Sequence, residues 1–510
     1  MQFPRTSGIL LHITSLPGPF CVGDFGAGAI EFVDFLEKSG QRIWQILPLG
    51  PPARGNSPYS CYSAFAGSTL LINPLQMATD GWLDAADVNG METCSDETKA
   101  SYATTQQCKH VQFEKAYAQS RESLSSNGDF KNFCGEHAYW LNDFARFEAL
   151  MGHFNESNWT LWPTELVQRN ADALAKWDDQ LASQIEFSKF MQFVFDQQWK
   201  RVKKYANDRG IQVFGDMPIF VAHESADVWA NQSLFCVDEQ GKPTLVAGVP
   251  PDYFSKTGQL WGNPLYRWDA LEKTNYAWWT ARFEFSFRQV DLLRVDHFRG
   301  FESYWEIPAD AETALSGRWK QGPREKPFEA ARKQLGELPI VAEDLGMITD
   351  EVHQLRDRLG FPAMRVMQFG FDDADDVFHH PSHYPENCVA YTGTHDNDTL
   401  MGWYQKRDPD QSSNDQSSND QSSSDQPSND LLREVLDGDD EIHMQLIAAV
   451  MKSNANTVVT PLQDALGLDS DSRMNVPGEA DGNWGWRARS QDLSDQLATK
   501  LRQITVDSNR

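Results

Sequence analysis

Residues 339–369 read PIVAEDLGMITDEVHQLRDRLGFPAMRVMQF, and this stretch decides the fold. An apolar run (PIVA) ends in acids. A helical pattern follows from Thr349, with Val352, Leu355 and Leu359 on one stripe. Gly360 then stops the helix and a second β-branched run begins at Ala363. Thr349 is expected to cap the helix N-terminus, and Gly360 to supply the left-handed residue at its C-terminus. The same helix–glycine–strand unit recurs at 29–39 with Gly40 before RIWQILPLG, and at 187–209 with Gly210 before IQVFGDMPIFV. Repetition of this unit implies a parallel sheet covered by helices.

Working outward, eight buried-strand candidates start near Gly8, Arg42, Ile211, Leu292, Pro339, Ala363, Cys388 and Thr457. The fifth to seventh starts lie 24–25 residues apart, a βα period. The predicted fold class is α/β, a (β/α)8 TIM barrel with large, mostly helical insertions after strands 2 and 3. On this reading 1–510 is a single catalytic barrel unit. Residues 52–186 form a helical insertion, with stretches such as EHAYWLNDFARFEALM, and 222–290 an aromatic-rich insertion forming part of the cleft. Both follow strand C-termini, where barrel enzymes carry their sites. Residues 408–430 are a tandem repeat of a QSSND-like unit, with six Asp and no aliphatic or aromatic side chain. Such a segment cannot offset its ordering entropy and is expected to be disordered.

Composition narrows the partners. The 510 residues carry 45 Lys+Arg against 73 Asp+Glu, a net charge of −28 that repels nucleic acid and anionic membrane. Seven scattered cysteines without a CxxC pair suit a reducing compartment better than a disulfide framework or a zinc site. The start, MQFPRTSGILLHITSLPG, lacks the basic head and long apolar run of a secretory signal, and no segment approaches 18 apolar residues in a row. A soluble, cytoplasmic chain is expected. Aromatics make up 12% of the residues, many beside Gly, Pro, Asn and Asp (GNSPYS, NWGWR). Aromatics in such loops suit stacking on a flat ligand with polar edges, although spare core is the plainer reading.

Four strands end in acids: Asp216, Asp296, Glu343 and Asp396. One acid there is commonly a helix cap; four converging on one barrel mouth repel unless something uses them. A divalent-metal site and a glycosidase-like pair of nucleophile and acid both fit. Arg294, two residues before Asp296, shares its strand face. It would keep Asp296 ionised and oppose a magnesium ion. Glu343 ends an apolar strand, an environment that raises a carboxyl pKa toward a general acid. Its neighbour Asp344 faces the other way and reads as structural.

These residues carry a resemblance. RVDHFRG, AEDLG and GTHDND resemble the signature blocks of the α-amylase clan, and GDMPIFV is similar to the block that precedes them. The fuller set, SPYSCYSAFAG, GVPPDYFSKTGQLWGNPLY, NVPG and NWGWR, resembles the 4-α-glucanotransferases (amylomaltase, or disproportionating enzyme) along nearly the whole chain. The resemblance implies Asp296 as nucleophile, Glu343 as acid/base and Asp396 as the third carboxylate, binding sugar hydroxyls and favouring ring distortion. It further implies Arg294, His395 and Asp216 around the sugar at the point of cleavage, Tyr59 stacking on it and Ser57 bonding nearby. Asp252, Gln259, Trp261 and Asn263 would lie on a loop over the cleft. The implied reaction is retaining transfer of α-1,4-glucan segments. Malto-oligosaccharides and α-1,4-glucans would be donors, maltodextrin or glucose the acceptor, with no cofactor, no metal, no nucleic acid and no membrane. A hydrolase of the same clan, a non-catalytic glucan-binding protein and a magnesium-dependent lyase are the alternatives.

Overall fold

The computed structural model describes all residues except 1–2, 89–90, 92–93, 95, 252–254, 372–377, 408–431, 433–434 and 437–439. The 408–430 repeat therefore lies outside the described residues. Eight parallel strands form the central sheet: β1 (Thr6–Leu10), β2 (Ile43–Gln45), β3 (Gln212–Pro218), β4 (Leu292–Asp296), β5 (Ile340–Ala342), β6 (Ala363–Val366), β7 (Cys388–Tyr391) and β8 (Thr457–Pro461). All eight predicted starts are strands. Their spatial order is β6-β7-β8-β1-β2-β3-β4-β5. The barrel closes between β5 and β6, where the Ala342 N–H donates to the Pro362 carbonyl at 3.1 Å.

Side chains alternate along each strand. One set fills the barrel interior: Leu10, Ile43, Phe214, Leu292, Val341, Met364, Val366, Val389, Tyr391 and Val459 form a buried cluster of their own. A polar pair sits within it, the Tyr391 hydroxyl donating to Gln45 Oε1 at 2.9 Å. The other set faces the helices. In the helix Asp350–Leu359 the stripe Val352, Leu355 and Leu359 is buried, and Gly360 is left-handed at φ 69°. Thr349 holds the extended N-cap conformation but makes no capping hydrogen bond, contrary to expectation. Gly8 lies where β1 presses on β2: a Cβ there would stand 2.3 Å from the Ile43 carbonyl oxygen.

Between β2 and β3 run the helices Tyr102–Leu124, Gly128–Glu136, Ala138–Phe154 and Ala171–Gln180. The first is tied to the β1 side of the barrel through Lys109, whose Nζ reaches Asp24 at 2.7 Å and the carbonyls of Leu70 and Ile72 at 2.7 and 2.9 Å. Absent from the sequence reading is a second, antiparallel sheet. Its strands Gln259–Pro264, Leu245–Val249, Ser303–Pro308 and Arg318–Gln321 come from the segments after β3 and after β4. Between β6 and β7 the described residues hold only short turns, Met367–Phe371 and Pro381–His383, in place of a long helix.

Candidate active site

The interior alternation continues past the core to the C-terminal mouth. Phe214 is followed on its face by Asp216, Leu292 by Arg294 and Asp296, and Val341 by Glu343. Strand register sets them side by side, with Asp216 opposite Arg294 and Val295 opposite Ala342. Arg294 Nη1 meets both oxygens of Asp216 at 2.8 and 2.7 Å. Its Nη2 lies 2.9 Å from Asp296 Oδ1. Asp216 is sealed, with 0% of its side chain exposed, whereas Asp296 keeps 29% exposed to the cleft. Asp216 thus stands one layer below the cleft, holding Arg294 and accepting the Tyr59 hydroxyl at 2.7 Å.

Glu343 is fixed by backbone. Its Oε2 accepts the His297 N–H at 2.7 Å and its Oε1 the Leu345 N–H at 2.8 Å. The first bond depends on a local distortion: directly after Asp296 the chain turns left-handed at His297, φ 50° and ψ 47°. A non-glycine residue in that region costs on the order of 1 kcal/mol. The turn brings the residue after Asp296 onto Glu343. Asp344 faces outward as expected, paired with Arg356 and accepting the Met364 N–H at 2.8 Å.

Asp396 closes the mouth from the loop after β7. Its Oδ2 lies 3.2 Å from His395 Nε2, and 42% of its side chain is exposed. Asn475 Nδ2 donates to Oδ1 at 2.6 Å, and Arg473 Nη2 to its carbonyl at 2.5 Å. Tyr59 stacks on His395 with ring centres 5.2 Å apart, and Trp484 packs against both. Asn475, Arg473 and Trp484 were not singled out from the sequence. The first and last lie inside the quoted NVPG and NWGWR blocks, so the signal was present but their contact with Asp396 and Tyr59 was not readable.

A cleft of about 750 Å³ opens beside Asp296 and His297, and Ser57, Tyr59, Trp261 and Asn263 line it. Ser57 Oγ accepts the Tyr59 N–H at 3.3 Å, a bond within its own turn. Gln259 Oε1 accepts the Trp261 indole N–H at 3.1 Å, and Asn263 Nδ2 donates to the Val221 carbonyl at 2.9 Å. Trp261 is 38% exposed and stands edge-on to His297 at 4.8 Å. Asp252 lies outside the described residues.

Burial dominates the electrostatics. It pushes Glu343 up to about 7, against Arg294 and the two backbone N–H groups. It also pushes Asp296 up to about 6, outweighing Arg294. Arg294 acts on Asp296 in the expected direction, lowering it, but it is shared with Asp216, and Asp216 and Asp396 both repel charge on Asp296. Asp396 goes the other way. Burial works to raise it, yet His395 and Asn475 hold it well below the usual range. Burial thus raises both Asp296 and Glu343, while Asp396 is held low. Among the described residues no group of three or more His, Cys, Asp or Glu is arranged to hold a metal ion.

A closed parallel barrel with its carboxylates gathered at the strand C-termini places the chain among the (β/α)8-barrel enzymes. The match to known proteins is narrower than that. The chain belongs to the 4-alpha-glucanotransferase family, which it matches over residues 11–493. It is 45% identical over 506 residues to the 4-alpha-glucanotransferase of Synechocystis sp., covering 98% of this chain and 97% of that one. It is 43% identical over 514 residues to that of Thermus thermophilus, covering 100% of both. Among solved structures it superposes on an amylomaltase from Streptococcus agalactiae in complex with acarbose, with TM-score 0.92, 37% identity and 99% of each chain covered.

Proposed function

We propose that this chain transfers α-1,4-glucan segments between malto-oligosaccharides by a retaining double displacement. The observation that carries the reading is the placement of Asp296 and Glu343 at register-matched ends of neighbouring strands, with the His297 N–H of one strand end bound to the Glu343 carboxylate of the other. Neighbouring strands run about 4.8 Å apart. Retention asks for carboxyl groups about 5–5.5 Å apart, so this spacing supports it.

In the first step Asp296, ionised and steadied by Arg294, attacks the anomeric carbon. Glu343 gives its proton to the departing glycosidic oxygen, leaving a β-glycosyl ester on Asp296. In the second step Glu343, now ionised, takes the proton from the 4-hydroxyl of an acceptor glucan, which displaces Asp296. Two inversions restore the α configuration. Asp396, kept ionised by His395 and Asn475, accepts hydrogen bonds from sugar hydroxyls, and Tyr59 stacks on the ring. Asp216 acts through others, orienting Arg294 and Tyr59.

Transfer requires that an acceptor glucan outcompete water at about 55 M, which positioning can supply. Leu260 and Trp261 on the cleft wall favour stacking of a second glucan and exclusion of water. The segments 52–186 and 222–290 are read as subdomains walling that cleft. Donors are α-1,4-glucans and malto-oligosaccharides, and acceptors are maltodextrin or glucose. Among the described residues no helix is long and apolar enough to cross a membrane, and a cytoplasmic site of action accords with the composition. Incubation with maltotriose tests the reading: glucose plus a ladder of longer maltodextrins supports transfer, whereas a net rise in reducing ends without longer products marks a hydrolase.

A further inference from the structure

A second cavity, of about 270 Å³ and lined by none of Asp216, Asp296, Glu343 and Asp396, lies where the helices Ala138–Phe154 and Ala277–Gln289 meet the segment after Ala226–Ala230. Its walls are aromatic. Phe65 is buried, and Tyr139 and Trp278 stand edge-on to it at interplanar angles of 90° and 89° with ring centres 5.8 and 5.9 Å away. Trp140 stacks on Phe65 at 6.3 Å. Tyr139 belongs to the wall yet is 51% exposed, a large ring held in water.

Polar groups accompany the rings. Asp143, which lines the cavity, pairs with Arg146 at 2.8 Å and Arg169 at 2.7 Å. Asn231 spends its amide N–H on the Asp227 carbonyl at 3.0 Å, which leaves its side-chain oxygen as an acceptor. Asp227 itself is buried, with Oδ2 taking the Ala64 N–H at 2.7 Å. Flat apolar walls with acceptors beside them match one class of ligand: a pyranose ring, whose C–H faces stack on aromatics while its equatorial hydroxyls donate outward.

We infer that this cavity is an auxiliary binding site for a glucosyl stretch of a long α-glucan, separate from the catalytic cleft. It rests on the reading that the substrate is an α-1,4-glucan. Its function is to hold polymeric substrate on the enzyme; short malto-oligosaccharides are processed without it.

The test is migration through native gels cast with and without soluble starch, run on the full chain carrying Asp296→Asn so that the polymer is not remodelled. Tyr139→Ala in that background is expected to weaken starch retardation about fivefold, the range that one stacking contact gives, and Tyr139→Trp to retain it. In the otherwise unaltered enzyme, Tyr139→Ala is expected to leave maltotriose disproportionation within twofold while raising the half-saturating concentration of soluble starch. Unchanged retardation overturns the site. So does an equal loss on maltotriose and starch, which would place Tyr139 in the cleft or in the folding of the chain. Failure of the substrate reading shows separately, as absence of any maltodextrin ladder from the unaltered enzyme.

Discussion

Replacing Glu343 by Gln separates the two tasks assigned to one carboxyl. Its two oxygens accept the N–H groups of His297 at 2.7 Å and Leu345 at 2.8 Å. A glutamine keeps one acceptor and turns an NH2 toward the other donor, so one buried N–H loses its partner at a cost of about 1–3 kcal/mol. The variant should fold with a modestly lowered melting temperature. Its catalytic loss is larger: removal of a general acid costs roughly 10²–10⁴ in rate. On maltotriose the full loss is expected, because the departing glycosidic oxygen needs a proton. On α-maltosyl fluoride the first step is expected to survive within about tenfold, because fluoride leaves without protonation. The second step stays slow for want of a base. Rapid-mix measurement of fluoride should therefore show a burst of one equivalent followed by slow turnover. Equal losses on both donors, with no burst, would refute the assignment of Glu343 as the acid.

Four further outcomes follow from the same geometry. Activity on maltotriose should trace a bell in pH. It falls below about 6 as Asp296 takes a proton, and above about 7 as Glu343 loses one. Arg294→Met removes a charge that lowers both groups, so both limbs should move to higher pH, and the buried Asp216 left unpaired should cost about 3–5 kcal/mol of stability by thermal melting. Asn475→Ala deprives the Asp396 carboxylate of a donor at 2.6 Å; at about 1.5–3 kcal/mol for a bond to a charged group, kcat/KM should drop roughly 10- to 100-fold. Lys109→Met strands Asp24 in the core and should lower stability by about 3–5 kcal/mol, with much of it regained in Lys109→Met/Asp24→Asn.

The barrel was legible because its information is local. Each strand is a short apolar run, each helix stop is a glycine such as Gly40, Gly210 or Gly360, and all three of these adopt positive φ. Asp296, Glu343 and Asp216 were legible for a related reason: period-2 alternation carries the interior face of a strand straight to its end. The second sheet was not: two of its pairings join neighbours in sequence, but the one that unites them, Leu245–Val249 with Ser303–Pro308, spans β4, and no local pattern records that those segments meet. Asn475 escaped notice on the same ground, since its partner Asp396 lies 79 residues away in a loop. The sequence shows Arg294 beside Asp296, but not that Asp216 claims the same guanidinium, nor how deeply both are buried.

The central claim is a covalent ester on one named side chain. The most direct measurement is mass spectrometry of peptides from the Glu343→Gln variant quenched during turnover of α-maltosyl fluoride. The account requires a maltosyl increment on the peptide containing Asp296, absent from the Asp296→Asn, Glu343→Gln double variant. A maltosyl group on another residue, or fluoride released in a burst with every peptide unmodified, would contradict it.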